Sequence, residues 1–158
     1  MKRAAVALAC VALNAAAADF AVGVNAISLH SQSGYESITP GLYVRGAGPA
    51  FGELGVLRNS IGFTTVHAGI GYVHTMGRFD AGLSVGVSYG YRDRQEWFYP
   101  DGSAPNFYTY GPPKFRPMIA PSVGYRIDDE WGARLFVLPA IKGKTETWCL
   151  SFAIERFF

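Results

Sequence analysis

The stretch FDAGLSVGVSYGYR, residues 79–92, alternates between apolar side chains and side chains that are small or charged. Its odd-numbered positions are Phe79, Ala81, Leu83, Val85, Val87, Tyr89 and Tyr91. Its even-numbered positions are Asp80, Gly82, Ser84, Gly86, Ser88, Gly90 and Arg92. Half-buried strands of soluble proteins are usually shorter and carry Lys, Glu and Thr on the polar face. A strand that crosses a membrane needs about 9–11 residues, with apolar positions facing lipid and aromatic residues at both ends. The stretch therefore predicts an outer-membrane β-barrel.

The N-terminus has the three parts of a secretory signal peptide. A basic pair precedes an apolar run over 4–13, and the small residues that follow end at Ala18. A lipoprotein signal at Cys10 would leave too short an apolar run. We therefore expect cleavage after Ala18, with a signal peptide over 1–18 and one barrel domain over 19–158.

Charge, hydropathy and cysteine content exclude several classes of protein and partner. No later stretch approaches the roughly 18 consecutive apolar residues of a transmembrane helix, so a membrane domain here must be a closed barrel. The formal net charge of +2 falls close to neutral without Lys2 and Arg3, and we expect no nucleic-acid partner. Only Cys149 remains after cleavage, which excludes an intramolecular disulfide. We interpret Cys149 as a small packed residue within a strand.

Turn signals divide the mature chain into eight expected strands. Their ranges are 20–30, 38–46, 51–59, 64–74, 79–92, 116–127, 132–141 and 147–158. Tight turns are expected at 46–50, 75–78 and 128–131, on the periplasmic side, and longer loops outside. The longest outer loop, 93–115, is rich in Pro, Tyr and Phe. The terminal Phe158 resembles the end signal of outer-membrane barrels, which implies the barrel assembly machinery as a partner.

The alternation also sorts side chains between lipid and the barrel interior. On the second strand Thr39, Tyr43 and Arg45 point inward, and on the last strand the inward set is Thr147, Cys149, Ser151 and Glu155. Both faces of the first strand are fairly apolar, so its orientation is ambiguous. Buried charges must be matched. We therefore expect an interior ion-pair group of Arg45, Arg134, Glu53 and Glu155.

Strand direction brings one group of reactive side chains to the outer rim. The first strand ends at His30 and the third ends at Asn59 and Ser60. Acyl transfer needs a hydroxyl, an imidazole that carries its proton and a group that orients the imidazole. A solvated histidine among ordinary loop residues is the alternative. His67 and His74 are expected nearer the other end, as structural residues. The sequence shows no metal-ligand or nucleotide-loop spacing, so no metal and no cofactor are expected.

Three segments then carry a family resemblance. They are Ile27-Ser28-Leu29-His30, Arg58-Asn59-Ser60 followed by Ala68-Gly69-Ile70-Gly71-Tyr72, and Pro121-Ser122-Val123-Gly124-Tyr125 with Pro139. They resemble the catalytic-histidine segment, the Asp-Ser pair with its Ala-Gly-x-Gly-aromatic run, and the gate prolines of the outer-membrane lipid A palmitoyltransferases, the PagP family. The resemblance implies a monomeric barrel that moves a fatty acyl chain from a phospholipid donor to lipid A.

The resemblance also implies roles for the rim residues. His30 would be the general base or proton carrier, and Ser60 its hydroxyl partner. Asn59 stands where the family has an aspartate, which removes a charge that could stabilise an imidazolium. The N-terminal amphipathic helix of the family has no counterpart here.

Small residues and prolines suggest where an acyl chain would bind. Gly69 and Gly71 face inward and leave room for a narrow slot, and Gly71 matches the position that sets acyl depth in the family. Pro121 and Pro139 lack a backbone donor and would weaken the ladder between the sixth and seventh strands, so that a lipid tail could enter. Tight packing and bulges are the alternative roles of these residues.

Two other functions remain open from the residues. One is a non-enzymatic, OmpX-like small barrel, structural or adhesive, that binds through the loop 93–115. The other is an outer-membrane lipid A deacylase, which is less favoured because the late strands hold no His-x-Ser pair.

Overall fold

The computed structural model describes residues 19–31, 34–97, 107–139 and 148–158. The expected signal peptide lies outside these residues. The strands are β1 (Phe20–His30), β2 (Ile38–Gly46), β3 (Ala50–Arg58), β4 (Thr64–Met76), β5 (Phe79–Tyr91), β6 (Arg94–Trp97), β7 (Phe107–Tyr110), β8 (Lys114–Arg126), β9 (Trp131–Leu138) and β10 (Cys149–Phe157). Among the described residues, no helix is long and apolar enough to span a membrane.

Eight of the strands close into an antiparallel barrel in the order β1-β10-β9-β8-β5-β4-β3-β2. This arrangement confirms the eight-stranded barrel predicted from the alternation. Strands β6 and β7 form a separate hairpin whose register runs from Arg94↔Tyr110 to Trp97↔Phe107. The expectation of a plain loop over 93–115 was therefore wrong at its base, where the chain continues as paired strands.

Several strand ends differ from the predicted ones for local reasons. Strand β3 stops at Arg58 because the side chain of Asn59 accepts hydrogen bonds inside the following turn. Strand β9 stops at Leu138, directly before Pro139, which has no N–H to donate. The predicted extension to 141 and the start of the last strand at 147 fall outside the described residues.

The two ends of the barrel differ in character. The end that holds Phe20 and Phe157, called the terminal end here, has short connections at 47–49, 77–78 and 127–130. The opposite end, called the loop end, holds His30, the turn after β3 and the β6–β7 hairpin. The first described residue, Asp19, the C-terminal Phe158 and the tight turns thus share one end, as an even strand count requires.

The outer surface is apolar over most of its height and carries aromatic residues at both ends. At the terminal end Phe79 and Tyr125 pack with ring centroids 4.9 Å apart, and Tyr89 and Phe115 pack at 4.7 Å near the loop end. The exposed residues between them include Leu83, Val85, Val87, Ile119 and Val123. An apolar band between two aromatic girdles is the surface of a transmembrane barrel.

The interior is polar, and its centre is a buried ion-pair group toward the terminal end. Glu155 accepts hydrogen bonds from Arg45 Nε at 2.7 Å, Arg45 Nη2 at 2.9 Å, Arg134 Nε at 3.1 Å and the Tyr43 hydroxyl at 2.8 Å. Arg134 also donates to both carboxylate oxygens of Asp80, at 2.7 and 2.9 Å. These contacts connect β2, β5, β9 and β10 through the middle of the barrel.

The predicted ion-pair group needs one correction. Arg45, Arg134 and Glu155 pair as expected, but Glu53 has no cationic partner among the described residues. Asp80 takes the position expected for Glu53, because its strand β5 places it at the level of Arg134. Glu53 stands directly opposite Arg45 in the register of β2 and β3, but the Arg45 guanidinium pairs with Glu155 instead.

Candidate functional site

A cavity of about 130 Å³ occupies the loop-end half of the barrel, above the ion-pair group. Its apolar wall consists of Leu57, Pro117, Met118, Ile119, Ala120, Phe136, Leu138 and Pro139. Its polar wall consists of Asn25, Tyr43, Glu53, Thr65, His67, Ser88, Tyr91, Arg116 and Ser151. Most of the surface that faces the cavity is apolar and a smaller part is polar, which suits a ligand that has both characters.

The cavity reaches the edge of the barrel wall between β8 and β9. The register of these strands runs from Arg126↔Gly132 up to Ser122↔Phe136 and no further. Above it, Val137 and Leu138 still pair with β10 but not with β8 within the described part of the chain. The cavity touches both the inward Ala120 and the outward Ile119, so it extends to this unpaired edge.

Prolines stand along this lateral gap. Pro117 and Pro121 lie on β8, and Pro139 directly follows β9. Each lacks the N–H that a continuous ladder would use. Pro121 on β8 and Pro139 at the end of β9 thus lie just above the last described pair of the β8–β9 ladder, and Pro117, which the sequence had not singled out, lies further along β8.

Glu53, His67 and Tyr43 form the lower boundary of the cavity. The ring of His67 lies against Gly55, where an added Cβ would stand 2.4 Å from the His67 Cε1, so the glycine permits the approach. His67 is the fourth residue of β4, near the loop end, so the expectation that it lies toward the other end was wrong. His74 does lie toward the terminal end and is exposed.

The two glycines of the expected acyl slot lie below the cavity rather than on its wall. An added Cβ on Gly71 would stand 2.4 Å from the Phe51 ring, so that ring already fills the space beside Gly71. An added Cβ on Gly69 would meet the Val85 carbonyl at 2.7 Å and a Glu53 carboxylate oxygen at 3.3 Å. A deep apolar slot at this level is therefore occupied by an aromatic ring and a carboxylate.

His30 lies at the loop end of β1, opposite Cys149 in the register with β10. Its Nε2 is 3.9 Å from the Cys149 Sγ, and its ring stacks on Tyr35 with centroids 5.1 Å apart. Its Nδ1 is buried without a hydrogen-bond partner among the described residues. Cys149 is thus the first residue of its strand and faces an imidazole, which the interpretation as a packing residue within the strand did not anticipate.

Asn59 and Ser60 share the loop end with His30. Asn59 is buried; its Oδ1 accepts the N–H groups of Ile61 and Phe63 at 3.1 and 3.0 Å, and its Nδ2 donates to Thr65 at 2.9 Å. The Ser60 carbonyl accepts the Glu36 N–H at 2.8 Å. In the described chain, no hydrogen bond joins the side chain of His30 to either residue. They share a rim, and Asn59 shapes the turn that carries Ser60.

The backbone of Glu36 connects the two halves of this rim. It lies beside the His30 ring and also binds the Ser60 carbonyl. The side chain of Glu36 forms a bidentate ion pair with Arg58, at 3.0 and 2.9 Å. His30 and Ser60 are therefore held by the same short segment between β1 and β2.

Charged groups surround the loop-end opening. Asp93 accepts hydrogen bonds from Lys114 and, at 3.0 Å, from Arg116. The hydrogen bond from Lys114, supported by Arg116, holds the pKa of the Asp93 carboxyl below its usual range. The Arg116 guanidinium also lies over the Tyr91 ring, 5.3 Å from its centroid. Arg92 stands 4.7 Å above the Phe63 ring.

Some residues of the cavity carried no distinctive signal in the sequence. Asn25 precedes a shift in the β1 register between Asn25 and Ile27, and only the folded barrel shows that its Oδ1 is buried without a partner. Glu53 looked like a member of the ion-pair group. His, Cys, Asp and Glu side chains of the described residues form no cluster of three that could hold a metal ion.

Comparisons with known proteins support the fold. No family model matches the chain, and no curated protein sequence matches it. The N-terminal β-barrel domain of Pseudomonas aeruginosa OprF is similar with a TM-score of 0.63 at 8% identity, over 89% of this chain and 97% of that chain. A de novo designed transmembrane β-barrel is similar with a TM-score of 0.59 at 12% identity, over 89% of this chain and 95% of the design. The chain is therefore an outer-membrane-type, eight-stranded β-barrel.

Proposed function

We propose that this barrel is an outer-membrane enzyme that transfers a fatty acyl chain from a phospholipid to an acceptor in the outer leaflet, such as lipid A. The observation that carries the proposal is the lateral gap between β8 and β9, with an amphiphilic cavity behind it. A lipid can reach such a cavity from the membrane without leaving it. The resemblance of the His30, Asn59-Ser60 and proline segments to the lipid A palmitoyltransferases supports the same function.

The barrel's asymmetry gives its orientation in this proposal. Short turns and both termini face the periplasm in bacterial outer-membrane barrels, and longer connections face outward. The terminal end is therefore periplasmic, and the loop end, with His30 and the gap, lies at the level of the outer leaflet. Three of the described cations at this end pair with Glu36 or Asp93, and the excess of positive charge that remains would favour phosphate groups of an anionic lipid acceptor. These cations are Arg58, Lys114 and Arg116, which are paired, and Arg92.

In the proposed reaction an acceptor hydroxyl attacks the ester carbonyl of the donor phospholipid. His30 takes the proton of that hydroxyl, the new ester bond forms, and the bond to the glycerol oxygen breaks. The imidazolium then returns the proton to the leaving oxygen, which yields a lysophospholipid. His30 is half-buried, and its Nδ1 makes no hydrogen bond within the described residues, which leaves this nitrogen free to take a proton.

The partners of His30 in this reaction are Ser60 and Asn59. The Ser60 carbonyl accepts a hydrogen bond from the backbone of Glu36, the residue that lies beside the His30 ring. Asn59 stabilises the turn that positions Ser60. Gly69, Gly71, Pro121 and Pro139 are the residues proposed to shape the path of the acyl chain. Because Phe51 covers Gly71, the chain would have to stop above this ring unless the ring rotates away.

The experiment is a transfer assay on the refolded barrel. Wild-type protein is reconstituted in vesicles that contain phospholipid and lipid A, and lipid A is examined by mass spectrometry for one added acyl chain. We expect addition by the wild type and loss of at least about 100-fold in His30→Ala, because general acid–base groups contribute about 10²–10⁴ in rate. His74→Ala, an exposed histidine at the terminal end, is the matched control and keeps full activity.

Two further variants show whether the Ser60 hydroxyl or the Cys149 thiol is the partner of His30 in the reaction. Ser60→Ala is expected to lower the rate, whereas Cys149→Ala is expected to keep it, although Cys149 is the group in contact with His30. No acyl addition by a folded wild-type barrel would refute the proposed function. Loss of activity in Cys149→Ala with full activity in Ser60→Ala would transfer the partner role to the thiol.

A non-enzymatic adhesive barrel is the second candidate, and the β6–β7 hairpin favours it. The hairpin lies at the loop end, where Tyr110 packs against Phe63 with ring centroids 4.9 Å apart, and its base is held by the Asp93, Lys114 and Arg116 contacts. Replacing residues 94–110 by a short linker tests this function. If it is correct, cell adhesion is lost while His30→Ala leaves adhesion unchanged.

A further inference from the structure

The polar atoms without partners in the cavity are acceptors or can act as acceptors. Asn25 is 8% exposed and its Oδ1 is buried with no hydrogen-bond partner in the described structure. The Nδ1 of His67 is in the same condition. Both residues line the cavity. Buried polar atoms normally form hydrogen bonds. Two acceptors without a partner in the lining of one cavity indicate that a ligand supplies the donors.

The third group that lines the cavity is a carboxylate without a direct ion-pair partner among the described residues. Glu53 is 8% exposed, and no cationic group of the described residues lies within ion-pair distance of it. The two interior guanidinium groups, of Arg45 and Arg134, already bind Glu155 and Asp80. Among the described interior groups, two cations therefore serve three carboxylates. Glu53 has only the longer-range attraction of Arg45 and Arg134, and a buried carboxylate without a direct partner is costly. The Ser84 hydroxyl beside Glu53 offers a dipole but no charge.

Arg116 is the one cation that the structure describes on the cavity lining, and it is engaged elsewhere. Its guanidinium binds Asp93 at 3.0 Å and covers the Tyr91 ring at the loop-end rim. Glu53 lies at the opposite boundary of the cavity, beside Gly69. The deep end of the cavity is therefore acidic and rich in acceptors.

The rest of the cavity limits the size and shape of the ligand. Its volume of about 130 Å³ is close to that of cavities of roughly 150 Å³ that take up a benzene-sized molecule. The space fits a headgroup or a short segment of chain. Its apolar wall and the gap between β8 and β9 provide a path for a longer apolar tail into the membrane.

From these features we infer that the cavity binds the protonated primary amine of a membrane amphiphile. The ammonium group lies against Glu53 and donates to Asn25 Oδ1 and His67 Nδ1, while the tail leaves through the gap between β8 and β9. An ammonium supplies three donors and one positive charge, which are the two properties that this wall lacks. The site shares the gap with the proposed acyl transfer but needs no reaction, so binding is measured separately from activity.

The test uses dodecylamine as the probe and dodecanol as its uncharged match. Wild-type barrel in an uncharged maltoside detergent is titrated with each compound, and bound ligand is counted by native mass spectrometry. We expect one dodecylamine per barrel, with an affinity at least tenfold higher than that for dodecanol. Saturation of dodecanol at equal concentration, or amine binding that never saturates at one per barrel, overturns the inference.

Two variants locate the site. Glu53→Gln keeps the shape of the side chain and removes its charge, and it is expected to weaken dodecylamine binding at least tenfold without changing dodecanol binding. Glu130→Gln, at an exposed carboxylate of the terminal end, is the matched control and leaves both affinities unchanged. Unchanged amine binding in folded Glu53→Gln overturns the inference. If that variant does not fold, the inference is tested by the ratio of the dodecylamine and dodecanol affinities of the wild type.

Discussion

Arg45 and Glu155 form a bidentate ion pair inside the barrel, with Nε and Nη2 of the arginine 2.7 and 2.9 Å from the two carboxylate oxygens. Both side chains are almost fully buried, at 3% and 1% exposure. Strands β2 and β10 are not neighbours in the sheet, so this pair connects them through the interior. It separates the loop-end cavity from a second cavity of about 180 Å³ at the terminal end, which Arg45 and Asp80 also line.

Glu155→Gln is therefore expected to destabilise the barrel by about 3–5 kcal/mol. The substitution leaves Arg45 and Arg134 with less compensation, and breaking a buried pair costs about this much. Urea unfolding of the refolded barrel, followed by its gel mobility before and after heating, measures the change. Glu130→Gln, which removes an exposed partner of Arg156, should change stability by less than about 1 kcal/mol. Equal effects of the two variants would contradict a central role of the buried group.

Gly71→Ala is expected to destabilise the barrel by about 1–3 kcal/mol, because the new Cβ collides with the Phe51 ring. Phe51→Leu removes the ring and should relieve the collision. The double variant is then less destabilised than the two single changes together, by at least about 0.5 kcal/mol. Urea unfolding of the four proteins gives this coupling energy. Strict additivity would show that the Phe51 ring does not cover Gly71.

Cysteine pairs can test the gap between β8 and β9 directly. In a Cys149→Ser background, Ser122→Cys with Phe136→Cys places two thiols at a register pair and should form a disulfide on mild oxidation. Ala120→Cys with Leu138→Cys, two residues higher on each strand, should remain reduced, because the strands are no longer paired there. Gel mobility with and without reductant shows whether each cysteine pair has formed a disulfide. Equally fast disulfide formation in both pairs would mean that the wall is closed.

Lys114→Gln should raise the pKa of Asp93 toward its ordinary value of about 3.9. In the wild type the hydrogen bond from Lys114 lowers this pKa, with help from Arg116. Because the folded pKa is depressed, the contact stabilises the rim above the ordinary pKa and loses this effect as the pH falls through the folded value. Carboxyl NMR titration of Asp93 measures the shift.

The control for this titration is Arg58→Gln. It removes the same charge at the same end of the barrel, from the ion pair with Glu36. The pKa of Asp93 should not change in it. Since Asp93 is half exposed, its pKa shift should also shrink at high salt. A Lys114→Gln titration identical to that of the wild type would contradict the assignment.

Much of the fold followed from single side chains and their spacing. The alternation in 79–92 predicted that Leu83 and Val87 face outward and Ser84 and Ser88 inward, and their exposures agree. Lipid on one side and a packed interior on the other force this period of two along every spanning strand. The hairpin β6–β7 was missed because its strands are short and pair only with each other, not with the barrel strands.

The candidate site was only partly predictable. Strand direction alone brought His30 and Ser60 to one rim, because each terminates an upward strand or directly follows one. The contact of His30 with Cys149 depends on the register of β1 with β10. The unmatched Glu53 depends on the height at which Asp80 meets Arg134. Such relationships arise from the stagger of the strands around a closed barrel, which no local pattern reports.

The amino-acid sequence by itself determined a membrane barrel, the faces of most of its strands and the end at which its reactive residues gather, since each depends on residue spacing along one strand. Only the tertiary structure decided which inner groups meet. It paired Arg45 and Arg134 with Glu155 and Asp80, placed Phe51 over Gly71, and left Glu53, Asn25 and His67 around a cavity beside the stretch where β8 and β9 are not paired in the described chain. These contacts depend on how eight staggered strands close, and closure brings together residues that lie far apart in the chain.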